Sequence, residues 1–133
     1  MNPPKTPTLQ WKLQHISPKK LKKWSLNPRK ITQYQQEHLT KSLDKFGVCQ
    51  PLVINTDFTI IGGHQRYEIL KERDTVPVLV PSRKLSNEEV EELALRLNKN
   101  TGTWDFDGLA NDFSLDFLFD VGFDPYDLGL SGS

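Results

Sequence analysis

Five consecutive residues are of types that bind phosphate: Gly62, Gly63, His64, Gln65 and Arg66. Two glycines remove side chains where a ligand approaches the backbone, and free amides at the start of a helix attract an anion. Arg66 can add a charge-assisted bidentate contact, while His64 and Gln65 can donate hydrogen bonds to phosphate oxygens. These five residues, the glycine turn, therefore predict a phosphate-binding site. The alternative is a tight turn with Arg66 on a solvated surface, because a glycine pair alone is a weak motif.

The flanking sequence predicts a strand before the glycine turn and a helix after it. The runs PLVIN (51–55) and FTII (58–61) flank a Thr-Asp turn and are typical of a pair of strands. Residues 64–72 predict the helix. VPVLV (76–80) predicts a further strand, and Pro77 indicates a sheet edge or a strand start because proline has no amide hydrogen to donate.

Two longer helices are indicated by capping boxes. Thr32 and Gln35 form the first box, and Gly47 is the expected end of that helix; Ser86 and Glu89 form the second box. Apolar residues follow at helical spacing in both: Leu39, Leu43 and Phe46 in the first, and Val90, Leu93, Ala94 and Leu97 in the second. Both helices are therefore expected to face a core.

The elements together predict one small α/β (α+β) domain. Residues 13–16 predict a short strand, and residues 17–24 a short basic helix with Ser17 as its N-cap. We expect a domain over residues 13–104 in which helices pack on a small mixed sheet. The proline-rich residues 1–12 are expected to be a disordered lead-in.

Composition restricts the class of protein. The chain has 133 residues, which is the length of one domain, and its apolar runs are far shorter than a membrane span of about 20 residues. No apolar signal-peptide core begins the sequence, so a cytoplasmic protein without a membrane role is expected. The single cysteine, Cys49, cannot form an intrachain disulfide and is expected to be a buried structural thiol. No Cys/His cluster has the spacing of metal ligands.

The net charge of zero conceals a gradient along the chain. Residues 1–50 hold ten Lys/Arg and two Asp/Glu, residues 51–103 hold seven and eight, and residues 104–133 hold none and seven. A basic N-terminal part suits DNA or RNA, because its binding releases counterions from phosphates. The candidate DNA contacts are Lys19, Lys20, Lys22 and Lys23. The alternative is that these lysines form only a solvated surface.

The acidic tail, residues 105–133, carries five of the seven phenylalanines. It predicts an amphipathic helix that begins near Asp105, with Phe106, Leu109 and Phe113 facing the chain's own core. The alternative is a helix that docks on a partner.

Several segments occur in an order that resembles the ParB/sulfiredoxin-like superfamily, and in particular its ParB N-terminal domain. They are NPRK (27–30), FGVCQPLVI (46–54), IIGGHQRYEIL (60–70), VPVLV (76–80) and LALRLNKNTGTWD (93–105). The resemblance covers roughly residues 13–105 and implies the superfamily's fold.

The resemblance also implies a nucleotide-binding domain for CTP or another nucleoside triphosphate, with Mg²⁺ as an accompanying ion. In the family a Gly-Gln-Pro segment lies against the base, which here implies Gln50 and Pro51, while the glycine turn holds the triphosphate. Asn27 and Arg29 match a motif at the edge of the pocket, and Asn98 matches the asparagine of the last pocket motif. A homodimer closed by nucleotide is a further implication.

This sequence departs from the family pattern at both ends of the implied pocket. His64 and Gln65 stand where partition ParB proteins have a glutamate and an arginine, so part of the phosphate-binding charge is lost. Leu97 and Thr101 replace the acidic residue before the last asparagine and the arginine after it. We therefore expect nucleotide binding, with weak CTP hydrolysis as the alternative. His64 also occupies the position of the catalytic cysteine of sulfiredoxins, so sulfiredoxin activity is not expected.

The C-terminal stretches 98–113 and 118–130 resemble the junction in phage and mobile-element DNA-modification methyltransferases that begin with a ParB-like domain. This implies a regulatory or DNA-association domain whose partner is such a methyltransferase. The competing functions are a ParB-like nuclease, and a non-specific DNA-binding or protein-interaction module without nucleotide.

Overall fold

The computed structural model describes residues 8–26, 30–99, 104–125 and 128, and its centre is a four-stranded mixed sheet. The strands are β1 (Trp11–Ile16), β2 (Leu52–Ile54), β3 (Ile60–Gly62) and β4 (Val76–Pro81). The helices are α1 (Gln33–Phe46), α2 (His64–Leu70), α3 (Asn87–Lys99), α4 (Phe106–Asp112) and α5 (Leu115–Asp120), and a 3₁₀ helix spans Pro18–Lys20. The predicted α/β fold class is confirmed.

The strand order is β1-β4-β2-β3, which places β4 inside the sheet. β4 pairs antiparallel with β1 and parallel with β2, and β2 pairs antiparallel with β3. Of the two alternatives for Pro77, the sheet edge is therefore wrong and the strand start is confirmed. Pro77 lies at the start of β4 opposite His15, one residue before the ladder with β2 begins at Val78, so its missing amide hydrogen costs no bond to β2.

Apolar residues cover both faces of the sheet. The neighbours Ile60 and Ile61 in β3 are both buried but belong to different core clusters, as the alternation of side chains along a strand requires. Leu43 of α1 and Leu70 of α2 share the cluster of Ile60, and Val90 of α3 shares the cluster of Ile61. β3, which leads into the glycine turn, therefore lies between one layer formed by α1 and α2 and a second layer formed by α3.

Both capping boxes are confirmed. The amide of Gln35 donates to Thr32 Oγ1 at 3.1 Å, and the amide of Thr32 donates to Gln35 Oε1 at 2.9 Å. The equivalent distances between Ser86 and Glu89 are 3.2 and 3.0 Å. Gly47 ends α1 with a φ of 73°, as predicted.

The basic N-terminal segment differs from its prediction. β1 begins at Trp11, so it includes two residues assigned to the lead-in, of which residues 1–7 lie outside the described part of the chain. The helix predicted over residues 17–24 is only a 3₁₀ turn with Ser17 as N-cap. Lys22 instead pairs with the start of β3: its amide donates to Phe58 O at 2.9 Å, and its carbonyl accepts from the amide of Ile60 at 2.8 Å.

Three further expectations about burial are wrong. Leu97 of α3, which was expected to face the core, is 42% exposed. Cys49 is exposed, because it lies in the loop between α1 and β2. Phe46, the last residue of α1, is 70% exposed and so does not face the core as expected.

The acidic tail forms two short helices. Asp105 caps α4 by accepting from the amide of Gly108 at 3.1 Å, as predicted, but Ser114 then caps a new helix, α5. Phe106 and Phe113 are 49% and 47% exposed, so their predicted inward orientation is wrong. Among the described residues of the tail, Leu118 of α5, at 2% exposure, is the buried one. Within the described ranges, no helix is long and apolar enough to cross a membrane.

Candidate functional site

The glycine turn contains a residue, Gly63, whose backbone conformation favours glycine. Gly63 separates β3 from α2 with φ 96° and ψ 22°, in the left-handed region. A Cβ at Gly63 would lie 2.5 Å from Leu52 Cδ2 and 2.9 Å from Arg66 Nη2. A Cβ at Gly62 would lie 2.9 Å from Leu97 Cδ1, so α3 also packs closely against the turn. Both glycines therefore have a packing role, whatever the turn binds.

Arg66 connects the glycine turn to the segment before β2. Its Nη2 donates to the carbonyl of Pro51 at 3.3 Å, and the side chain is half-buried. The guanidinium group thus lies over Gly63 and beside Pro51, and the neighbouring Gln50 is exposed. Two sequence motifs that are separated along the chain meet at this arginine.

His64 bonds to the basic N-terminal segment. The amide of Trp24 donates to His64 Nε2 at 3.3 Å, so Nε2 is an acceptor and the proton of the neutral ring is on Nδ1. Burial lowers the pKa of His64, the nearby Lys23 charge lowers it further, and Glu68 opposes the shift. The hydrogen-bond donor to a phosphate that the sequence predicts for His64 would therefore be Nδ1–H.

NMR titration of His64 is expected to give a pKa below the ordinary value of 6.5 and the Nδ1–H tautomer at neutral pH. Since the unfolded chain binds the proton more readily, the stability that neutral His64 contributes is complete above pH 6.5 and is lost as the pH falls through the folded-state pKa. His64→Ala should reduce this acid sensitivity in urea unfolding between pH 7.5 and 5. A His64 pKa above 6.5 would contradict the hydrogen bond to Trp24.

Two of the four candidate DNA-binding lysines belong to the segment beside His64. Lys23 forms an ion pair with Glu68 of α2, and Glu68 also accepts from Lys71 at 3.0 Å. The hydrogen bond from Lys23 is the main cause of the lowered pKa of Glu68. Lys22 is exposed at the edge of β3, while Lys19 and Lys20 are exposed on the 3₁₀ helix. Lys23 is thus held against α2, unlike the other three.

Asn98 lies on α3, which also packs on the glycine turn. Its Nδ2 donates to the carbonyl of Ala94 at 2.7 Å, and the preceding residue, Leu97, contacts Gly62. The remaining residues implied by the resemblance, Asn27 and Arg29, lie outside the described residues. The structure therefore brings Pro51, the glycine turn and the end of α3 together.

Trp24 and Glu68 are site neighbours that the sequence reasoning did not identify. Trp24 lies 40 residues from His64 in the chain, and no motif links them. The segment that holds Trp24 also forms one wall of a cavity of about 390 Å³, whose other walls are the turn at Asn55–Thr59 and the start of α3 at Asn87. The buried Asn55 supports this cavity, because its side chain bonds the backbone of Leu85 twice, at 2.9 and 3.0 Å.

No group of three or more His, Cys, Asp or Glu side chains in the described part of the chain is placed to hold a metal ion. Two carboxylates of α3 that could be taken for metal ligands are ion-paired instead. Glu89 accepts hydrogen bonds from both terminal nitrogens of Arg83, and this pairing lowers the pKa of Glu89 to about 2. Glu92 accepts a hydrogen bond from Arg96 at 2.8 Å.

The family model of the ParB N-terminal domain matches residues 5–99. The chain belongs to this family. No curated protein sequence matches this ParB N-terminal domain significantly.

Solved ParB structures share its fold. The C-terminally truncated chromosome-partitioning protein ParB from Caulobacter crescentus, complexed with CTP-gamma-S, has a TM-score of 0.65 at 18% identity, over 88% of this chain and 74% of that one. The same protein complexed to the centromeric parS site has a TM-score of 0.53 at 18% identity, over 87% of this chain and 68% of that one. A pNOB8-like ParB N-domain has a TM-score of 0.59 at 24% identity, over 79% of this chain. This chain covers 41% of the pNOB8-like chain.

Proposed function

We propose that this chain is a nucleotide-binding module that holds CTP, with the triphosphate on the glycine turn. The observation that carries the proposal is the position of Arg66. Its guanidinium lies beside Pro51 and over Gly63. In the ParB N-terminal domain family, to which this chain belongs, these two segments match the motifs implied to contact the base and the phosphates.

Each residue of the glycine turn then has a distinct task. The absence of a Cβ at Gly62 and Gly63 lets the side chains of Leu97 and Arg66 pack against the turn, and Arg66 contributes a positive charge with a forked donor pattern. Gln65 can donate through its amide, and His64 through Nδ1. Gln50 and Pro51 would lie near the base.

The other pocket residues are assigned by the family motifs. Asn98 is proposed to contribute from α3, and Asn27 and Arg29 from the pocket edge. The Caulobacter crescentus ParB complexed with CTP-gamma-S supports the choice of a cytidine nucleotide. The described residues offer no cluster of protein ligands for Mg²⁺, so we derive no metal-dependent step from this chain.

Isothermal titration of the chain with CTP, ATP, GTP and UTP tests the proposal. Saturable binding of CTP, with weaker binding of the other three, is the expected result. Repeating each titration with and without Mg²⁺ shows whether the ion accompanies the nucleotide. No heat of binding and no thermal stabilisation by any of the four would refute the proposal.

Association with DNA is a second candidate function. Lys19, Lys20 and Lys22 are exposed on one short stretch, and the Caulobacter crescentus ParB has been solved complexed to the centromeric parS site. Lysines at such positions can neutralise phosphates without reading sequence.

We expect that replacing Lys19, Lys20 and Lys22 together by alanine makes the slope of log K against log salt less negative. The change should be about 0.9 for each phosphate that the chain no longer neutralises. Fluorescence anisotropy of a labelled duplex over a series of salt concentrations measures this slope. Lys23→Ala is the matched control, and it should change the slope less because Lys23 is already paired with Glu68. An unchanged slope in the triple variant would assign these lysines to solvated surface.

The module is further proposed to serve a DNA-modification methyltransferase of a phage or mobile element. The resemblance of residues 98–113 and 118–130 to the junction in such enzymes supports this context. The nuclease alternative receives no support from α3, whose Glu89 and Glu92 are ion-paired with arginines. Co-purification of the chain with a methyltransferase expressed from the same locus tests the context.

A further inference from the structure

The cavity beside Trp24 lies towards the opposite end of β3 from the glycine turn. Its lining includes Thr59, which directly precedes β3, and Asn87, the first residue of α3. The glycine turn begins at the last residue of β3, and Leu97 near the end of α3 packs against it. About ten residues of helix, or about 15 Å, therefore separate the two places along α3. The cavity volume of about 390 Å³ is typical of a ligand site.

Trp24 gives this cavity an aromatic wall. The residue is half-buried: it packs against the core cluster that contains Ile61 and Val90, and it also lines the cavity. The hydrogen bond from its amide to His64 holds the backbone at this position. An indole ring that is supported by the core and accessible from the cavity is a surface on which a flat aromatic ligand can stack.

The rim of the cavity carries a lysine and two carboxylates. Lys22 is exposed there, and two hydrogen bonds to the edge of β3 hold its backbone. Asp57 and Glu91 also line the cavity, and Asp57 lies 4.0 Å from Lys84. Within the described ranges, Glu91 forms no ion pair. Lys22 can therefore contact a phosphate, and the carboxylate of Glu91 can accept a hydrogen bond from a ligand.

A base of single-stranded DNA matches all three features. Its flat ring can stack on an indole, and the phosphate next to it can contact a lysine. Cytosine, adenine and guanine also carry an amino group that donates to a carboxylate, whereas thymine does not. A base in a duplex would first have to leave its stack, which costs free energy. The two carboxylates at the rim repel a free triphosphate more strongly than a single backbone phosphate.

We propose that this cavity holds an unpaired, amino-bearing base of single-stranded DNA. The base stacks on Trp24 and donates to Glu91, and an adjacent phosphate contacts Lys22. This inference rests on the proposed association with DNA and specifies the form of DNA that is bound. It does not depend on CTP binding, because no residue of the glycine turn lines the cavity.

Fluorescence anisotropy of labelled dC and dT strands of about 12 nucleotides provides the test. The two bases are similar in size, but only cytosine has the amino group. The dC strand is therefore expected to bind at least about 5-fold more tightly than the dT strand. A mixed-sequence duplex of the same length should bind more weakly than the dC strand at the same salt concentration.

Two variants, each with a matched control, assign the preference to the cavity. Glu91→Ala, at an exposed residue, should bring the ratio of the dC and dT dissociation constants close to one. Glu88→Ala removes the same charge from α3 outside the cavity and should leave the ratio unchanged. Trp24→Ala should weaken binding of the dC strand by about 10-fold, while Trp104→Ala, at an exposed indole of the tail, should not. Circular dichroism checks that each variant is folded.

The position of the base is tested against the glycine turn. Arg66→Ala and Arg96→Ala each remove one charge, and neither side chain lines the cavity, so both variants should bind the dC strand equally. Weaker binding by Arg66→Ala than by Arg96→Ala would place the base at the glycine turn and overturn the proposal.

The remaining outcomes separate this proposal from the association with DNA on which it rests. Equal binding of the dC and dT strands, or a preference that persists in Glu91→Ala, would overturn the assignment of a base to the cavity and leave DNA association by the lysines intact. Tighter binding of the duplex would overturn it in the same way. Absence of binding to both strands and to the duplex would refute the association with DNA as well.

Discussion

Arg66→Ala is expected to weaken CTP binding by about 10- to 150-fold, which corresponds to roughly 1.5 to 3 kcal/mol for a hydrogen bond to a charged group. The reason is that the guanidinium is the positive charge that the structure places over the glycine turn. Isothermal titration of the variant with CTP measures the change. Binding should also become less exothermic, because a charged donor pair is removed.

Two controls separate this effect from a general loss of charge or fold. Arg96→Ala removes an equal charge from α3, where the side chain is exposed and pairs with Glu92, and it should leave the dissociation constant unchanged. Arg66→Lys keeps the charge but loses the fork, and it should give an intermediate affinity. A folded Arg66→Ala chain that binds CTP as the parent does would refute the assignment of the phosphates to the glycine turn.

Gly63→Ala is expected to destabilise the fold by about 2 to 5 kcal/mol. A φ of 96° costs an L-residue about 1 to 2 kcal/mol, and overpacking a core position costs about 1 to 3 kcal/mol more. The new methyl group would lie 2.5 Å from Leu52 Cδ2, so Leu52, which is fully buried, would have to move. Urea unfolding followed by circular dichroism gives the free energy of unfolding of both proteins.

Gly47→Ala is the matched control for this steric argument. Gly47 also has a positive φ at a helix end, but a Cβ there would meet no atom within 4 Å. It should therefore cost only the backbone strain, about 1 to 3 kcal/mol for this sparsely populated conformation. A loss in Gly63→Ala no larger than its backbone strain of about 1 to 2 kcal/mol, with an unchanged m-value, would show that the contact with Leu52 adds nothing.

The elements that the sequence predicted correctly are those with local signals. The capping boxes at Thr32 and Ser86 and the glycine stop at Gly47 depend on residues within a few positions of each other, and all three are present. The turn between β2 and β3 and the strand-to-helix junction at the two glycines are likewise local features. Such features follow from backbone conformation and short-range hydrogen bonds, which the order of residues specifies.

The expectations that failed required knowledge of distant partners. The basic segment was expected to be helical, but the edge of β3 offers Lys22 two backbone hydrogen bonds, and these extend the chain. For Pro77 the sheet-edge alternative failed, because the sequence does not reveal that β4 lies between β1 and β2. The tail was expected to turn Phe106 and Phe113 inward, but both are exposed, and Leu118 is the buried residue among those described in the tail.

The same division applies to the candidate site. The order of residues was enough to predict the family, the capped helices and the residue types of the glycine turn, because these depend on neighbouring residues. The folded chain was needed to show that Arg66 reaches Pro51, that His64 accepts from Trp24 and that Lys23 pairs with Glu68. These contacts join residues that lie 15 to 45 positions apart, and no local energy selects them: they form because packing both faces of one sheet brings the segments together.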